Sequence, residues 1–79
     1  MRVLARFKGK WFVVPCGEGK APIQWLIEEI LRRASDTNDS EKYAKDFEAV
    51  LAQNGGSLHP SDSIYEVLND NDFVHISGE

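Results

Sequence analysis

The sequence predicts a small α+β domain, and three observations carry that prediction. Two short apolar runs near the N-terminus alternate with period two, residues 23–31 repeat with helical period, and a last apolar run follows the turn-rich residues 69–72. A chain of 79 residues makes one domain, residues 1–79, with a modest core: roughly 60% of the unfolded surface is removed on folding at this size. A deep enzyme cleft does not fit such a core, so the sequence reads as non-enzymatic.

The first strand is read from Val3, Ala5 and Phe7 alternating with Arg2, Leu4, Arg6 and Lys8, one dry face and one mostly basic wet face. Gly9 interrupts the run, and Lys10 to Val14 resumes it with aromatic and β-branched residues, so Lys8 to Lys10 is a hairpin turn. In this second strand Phe12 and Val14 share one face, while Trp11 and Val13 share the other and need a second layer or a partner. Pro15 ends the strand, and Gly17 and Gly19 permit positive φ in the turn that follows. Pro22 suits the first turn of a helix. Ile23, Leu26, Ile27, Ile30 and Leu31 form its apolar stripe, with Glu28, Glu29, Arg32 and Arg33 placed on the remaining surface.

Ser35 to Ser40 is a polar linker inside the domain, and residues 41–53 are open to two readings. Tyr43, Phe47, Val50 and Leu51 have helical spacing among good helix formers, yet Asn54, Gly55 and Gly56 make the turn of a hairpin equally well. Leu58 belongs to a short strand, Pro60 and Ser61 to a turn and helix cap, and Ile64, Val67 and Leu68 to the stripe of a short helix. Asp70 to Asp72 turns the chain into a final strand at Phe73 to Ile76.

Charge is divided along the chain. Residues 1–33 carry seven basic and three acidic residues, net +4, and residues 34–79 carry two basic and ten acidic, net −8. The overall −4 argues against nucleic acid as a partner, while opposite halves in one small domain can attract each other across molecules. Charges interrupt every early apolar run, so no secretory signal is read, and nothing approaches the roughly 18 apolar residues of a membrane helix. A single cysteine, Cys16, allows no internal disulfide and no thiolate-rich metal site. These features are expected of a soluble cytoplasmic domain without direct membrane insertion.

The segment CGEGK, between a strand and a helix, has the outline of a phosphate loop. That motif requires glycine five residues before Gly19 and a hydroxyl after Lys20, and the chain has Val14 and Ala21 there. Cys16 fits a small apolar residue at a strand end better than an activated thiol. His59 and His75 are isolated, with no metal-ligand spacing, and the carboxylates read as a solvated acidic face. No catalytic, cofactor or metal residues are assigned, and no cofactor is expected.

The order strand, strand, helix, strand, short strand, short helix, strand is that of a ubiquitin-like β-grasp: a mixed sheet of about four to five strands with one main and one short helix. MRVLARFKGKWFVVPCGEGK resembles the start of the N-terminal domain of the Par-three (partitioning-defective) polarity scaffold, which opens with a strand, a basic turn, VVVPCGDGR and a helix. The resemblance continues through Leu26 and Ile27, the NGGSL turn and EVLNDNDFV. KGKWFVVPC, WLIEEILRR and NDNDFV are similar, to the same degree, to the N-terminal segment of animal histidine ammonia-lyase. The likeness is weak across residues 34–53, where the family implies a strand over about Asp46 to Ala52.

The resemblance implies a DIX- or Phox-Bem-like module that self-associates front to back into helical filaments and so oligomerises a cytoplasmic scaffold at the cell cortex or cell junctions. Its partners are then other copies of itself and other polarity proteins. The family's basic surface matches Arg6, Lys8 and Lys10, with an apolar contact at Val13 beside which Trp11 stands. Its acidic surface matches Glu66, Asp70 and Asp72. Two positions depart from the pattern: Asn69 stands where an aspartate is often found, and Gly9 where arginine is common. The alternatives are a regulatory or structural appendage of an ammonia-lyase-like enzyme, or a monomeric ubiquitin-like adaptor.

Overall fold

Strand β1 (Arg2–Phe7) and strand β2 (Lys10–Pro15) form the antiparallel hairpin that the alternation predicts. This arrangement is seen in a computed structural model that describes residues 1–34 and 47–78. Lys8 (φ 51) and Gly9 (φ 80) are both left-handed, as a two-residue hairpin loop demands, because that twist matches the strands it joins. Helix α1 (Ile23–Ala34) follows. Pro22 lies just outside it rather than in its first turn, and its carbonyl accepts the opening helical bonds from Trp25 (2.9 Å) and Leu26 (3.4 Å).

Strand β3 (Phe47–Leu51) decides the ambiguous segment in favour of strand as far as it is described. Tyr43 and Asp46, which entered the helix and strand readings respectively, lie outside the described residues. The helical spacing loses here because β3 has a strand on each side: β5 (Phe73–Gly78) and β4 (Ser57–Leu58), both antiparallel to it. Ladder pairing outweighs propensities of a few tenths of a kcal/mol per residue. Between them Gly55 (φ 72) turns the chain, and Asn54 Oδ1 accepts from the Gly56 amide at 2.8 Å.

The short helix α2 (Ile64–Val67) begins two residues later than the sequence suggests. Ser61 is part of the preceding turn, its amide donating to His59 Nδ1 (3.1 Å), and Ser63 occupies the cap position without a side-chain hydrogen bond. The sheet order is β2-β1-β5-β3-β4, with β1 and β5 parallel and the other pairs antiparallel. This five-stranded mixed sheet with one main and one short helix is a ubiquitin-like β-grasp.

The sheet has a dry face and an outer face. Val3, Ala5, Phe7, Val14, Ala49, Val74 and Ile76 are buried beneath the α1 stripe of Ile23, Leu26, Ile27, Ile30 and Leu31, and Leu58, Ile64 and Leu68 close the remaining side. Glu29 departs from the expected solvent position: it is buried at 9% exposure, and its Oε1 accepts from Arg32 and from Arg33 Nε (3.1 Å). Two arginines folded back one turn later keep the buried carboxylate paired.

Candidate protein-interaction surface

The stretch between β2 and α1 is architectural. The Gly19 amide donates to the Cys16 carbonyl (2.8 Å) and the Tyr65 amide to the Gly19 carbonyl (2.9 Å). A Cβ on Gly19, which has φ 76, would lie 2.6 Å from Met1 Sδ and 2.9 Å from Tyr65 Cβ, so the glycine lets α2 close on the turn. Lys20 pairs with Glu18 (3.0 Å), both well exposed. Cys16 is buried, its Sγ donating to the Val14 carbonyl (3.4 Å), and burial raises its thiol pKa, which opposes thiolate chemistry.

Register places the sequence-derived basic residues on two sides of the hairpin. Arg6 opposes Trp11 and Leu4 opposes Val13 on the outer face, whereas Lys10 opposes Phe7 on the helix side. Lys8, at the turn, leans the same way, with its Nζ 5.3 Å from the Phe7 ring centroid. Arg6, Lys8 and Lys10 therefore surround the hairpin tip rather than lining one flat face. All three are exposed, and none forms an ion pair among the described residues.

The acidic residues gather at the other end of β1. The Asn71 amide donates to the Arg2 carbonyl (2.8 Å) and the Leu4 amide to the Asp72 carbonyl (3.0 Å), stitching the loop to the start of the strand. Asp70 Oδ1 accepts from the Arg2 amide (2.9 Å), and Asp72 Oδ2 accepts from the Asn69 amide (2.9 Å). Asn71, at φ 66, takes the left-handed position that asparagine tolerates. Arg2 Nε donates to Asn71 Oδ1 (2.7 Å), so one arginine stands beside Asp70 and Asp72, and Glu66 extends the acidic side on α2. Six residues of β1, about 20 Å at 3.3 Å each, separate this loop from the lysine tip.

Between the two ends the outer face carries an aromatic cluster that the sequence reading only half identified. Trp11 meets Phe73 edge-on (5.4 Å between centroids) and His75 (5.8 Å), and Arg6 lies 5.9 Å from the Trp11 centroid. Trp11, Val13 and Phe73 are 45%, 52% and 48% exposed. Phe73 and His75 alternate with buried Val74 and Ile76, a signal present in the sequence. The parallel pairing Leu4–Phe73 and Arg6–His75, which sets them beside the hairpin, is not local information.

A family model described as the N-terminal of Par3 and HAL proteins matches residues 1–77. The chain belongs to that family. No curated protein matches the chain. Membership of the Par3/HAL N-terminal family agrees with the resemblance drawn from VVPC, NGGSL and NDNDFV and is consistent with a protein-interaction module. Among the described residues of this Par3/HAL-type domain there is no cluster of three or more His, Cys, Asp or Glu able to hold a metal ion. No helix there is long and apolar enough to cross a membrane.

Proposed function

We propose that this domain is a non-enzymatic self-association module that joins copies front to back. The lysine tip of one copy, with Arg6, Trp11 and Val13 beside it, meets the acidic end of the next, formed by Glu66 of α2 and by Asn69, Asp70 and Asp72 of the loop after it. The observation that supports this is the placement of basic residues, without an ion pair among the described residues, and an acidic loop at opposite ends of one strand. Surfaces that differ in this way make a heterologous contact, which continues as an open chain unless rotation closes it. Exposed ion pairs contribute about 0–1 kcal/mol each, so they orient the approach, while the apolar side chains of β2 supply the centre.

In this reading the domain concentrates a cytoplasmic polarity scaffold at the cell cortex or cell junctions. Sedimentation across concentration and ionic strength tests it: mass rises with concentration and falls with salt. Lys10→Asp and Asp70→Lys each stop growth, and their mixture restores a heterodimer because each variant keeps one intact end. Unchanged assembly in both variants would refute the contact. The family description, which names HAL proteins beside Par3, favours one other reading: an appendage of a histidine ammonia-lyase-like enzyme. A mass independent of concentration would support that reading or a monomeric adaptor.

A further inference from the structure

Strand β2 is one edge of the sheet, and the register fixes which of its backbone groups face outward. Phe7 and Lys10 flank the two-residue turn, so they exchange both hydrogen bonds, and every second pair along the ladder does the same. The Cys16 amide donates to the Met1 carbonyl (2.9 Å), in keeping with that alternation. Lys10, Phe12 and Val14 therefore direct their amides and carbonyls to β1. Trp11 and Val13 each present an N–H and a C=O to the open edge, Pro15 a C=O alone, and no backbone partner meets them among the described residues. Folded proteins blunt such edges with charges, prolines or bulges. Here Lys10 and Pro15 stand at the two ends, while Trp11 to Val14 between them are uncharged and pair with β1 without a bulge.

We propose that this edge takes an extended acidic peptide of another protein, which adds as a further strand beside β2. Backbone groups at that spacing are matched by another extended strand. Side chains of the added strand lie beside Trp11 and Val13 on the outer side and beside partly buried Phe12 on the helix side, a fit for β-branched residues. Charge selects an acidic partner. β1, the turn and β2 contain Arg2, Arg6, Lys8 and Lys10 and no carboxylate, and the next acid along the chain, Glu18, pairs with Lys20. Lys10 on the helix side, Lys8 at the turn and Arg6 on the outer side surround the start of β2, and none has an ion pair among the described residues. An acid-ended strand thus meets a cation on either side of the sheet. A second copy is a poorer mate: its β2 carries no carboxylate, and its other edge strand, β4, offers two residues. The proposal does not rest on the front-to-back contact, but both use Trp11 and Val13, so a bound peptide holds back chain growth.

Residue-resolved hydrogen exchange tests this with the probe acetyl-EEVTVIVEE-amide, on the chain at a concentration where sedimentation gives the monomer mass. The Trp11 and Val13 amides should exchange freely in the chain alone. Saturating peptide should slow both about tenfold or more, while Phe12 and Val14, already bonded to β1, change little. The counterpart acetyl-KKVTVIVKK-amide should bind about tenfold more weakly at low salt, a gap that closes in about 1 M salt, where the Debye length is about 3 Å. Val13→Pro deletes one outward N–H and spares the β1 ladder. It should weaken the acidic probe about tenfold, whereas Val13→Thr keeps the N–H and the branched shape and should stay within about twofold. Exchange on the native chain decides the matter if Val13→Pro fails to fold. Binding that leaves the Trp11 and Val13 amides unprotected would overturn the added strand. Equal binding of the two probes, or none up to about 1 mM, would overturn the acidic partner. Protection of both amides on concentrating the chain alone would assign the edge to a second copy instead. A mass independent of concentration, with protection by the acidic peptide, would refute the front-to-back reading and leave this one standing.

Discussion

Replacing Asp70 with lysine and with asparagine separates the charge of the acidic loop from its architecture. Asp70 Oδ1 accepts the Arg2 amide at 2.9 Å, while the neighbouring Asn71 amide and the Arg2 carbonyl close the same junction at 2.8 Å. A hydrogen bond to a charged acceptor is worth about 1.5–3 kcal/mol, and this exposed one sits at the lower end. Asp70→Lys removes the acceptor, so the monomer should lose about 1–1.5 kcal/mol, on the order of 4–12 °C in Tm for a domain of this size. Asp70→Asn keeps an oxygen at the same position and should lose less than about 0.5 kcal/mol. Both remove the negative charge, so both should weaken assembly, the lysine variant more because it introduces repulsion. Thermal unfolding at low concentration reads the first effect and light scattering at high concentration the second. Equal Tm losses would refute the role given to the Arg2 amide. Native-like assembly by Asp70→Asn would remove this charge from the contact.

Two further outcomes follow from residues outside the surface. Gly19→Ala should cost about 2 kcal/mol or more, measured by urea unfolding, because its Cβ meets Met1 and Tyr65 in addition to the penalty of its positive φ; Gly17→Ala, with φ 59 and nothing within 4 Å, should cost about half that. Equal losses at the two sites would discount the packing of α2 on the turn. Burial raises the Cys16 thiol above its ordinary value of 9.0, the charges of the amino terminus and Arg33 opposing the shift. The folded state therefore holds the proton more tightly than the unfolded chain. The stability this provides is complete below about pH 9 and is lost as pH rises toward the folded value. Cys16→Val should flatten that alkaline decline relative to the native chain in denaturant titrations at pH 7.5 and 10, and identical declines would contradict it.

Much of this surface was legible in sequence because its signals are local. Lys8, Gly9 and Lys10 mark a tight turn whatever surrounds them, and Trp11 and Val13 must share a face once Val14 is buried. The order of charges along the chain already separated a basic start from an acidic end. Local patterning failed where a partner from elsewhere decides the outcome. Glu29 has helical neighbours that suggest solvent, and its burial is made tolerable by Arg32 and Arg33. Phe47, Val50 and Leu51 have a helix's spacing, and β5 and β4 make them a strand. Ser61 looks like a cap, but the turn around His59 uses its amide and hands the cap position to Ser63.

By itself the sequence determined the hairpin, the main helix, the apolar stripe and the sign of each charged segment, because these depend on neighbours a few residues apart and on steric rules of the backbone. Tertiary structure alone decided where the segments stand. Parallel pairing of β1 with β5 brings Phe73 and His75 beside Trp11 and Arg6, across more than 60 residues of chain. It also fixes the Asp70–Asp72 loop at the foot of the strand whose far end carries the lysines. The physical reason is register: it is set by burying Val3, Ala5 and Val74 on one face at once. The aromatic outer face, set between a basic hairpin tip and an acidic loop, is the consequence.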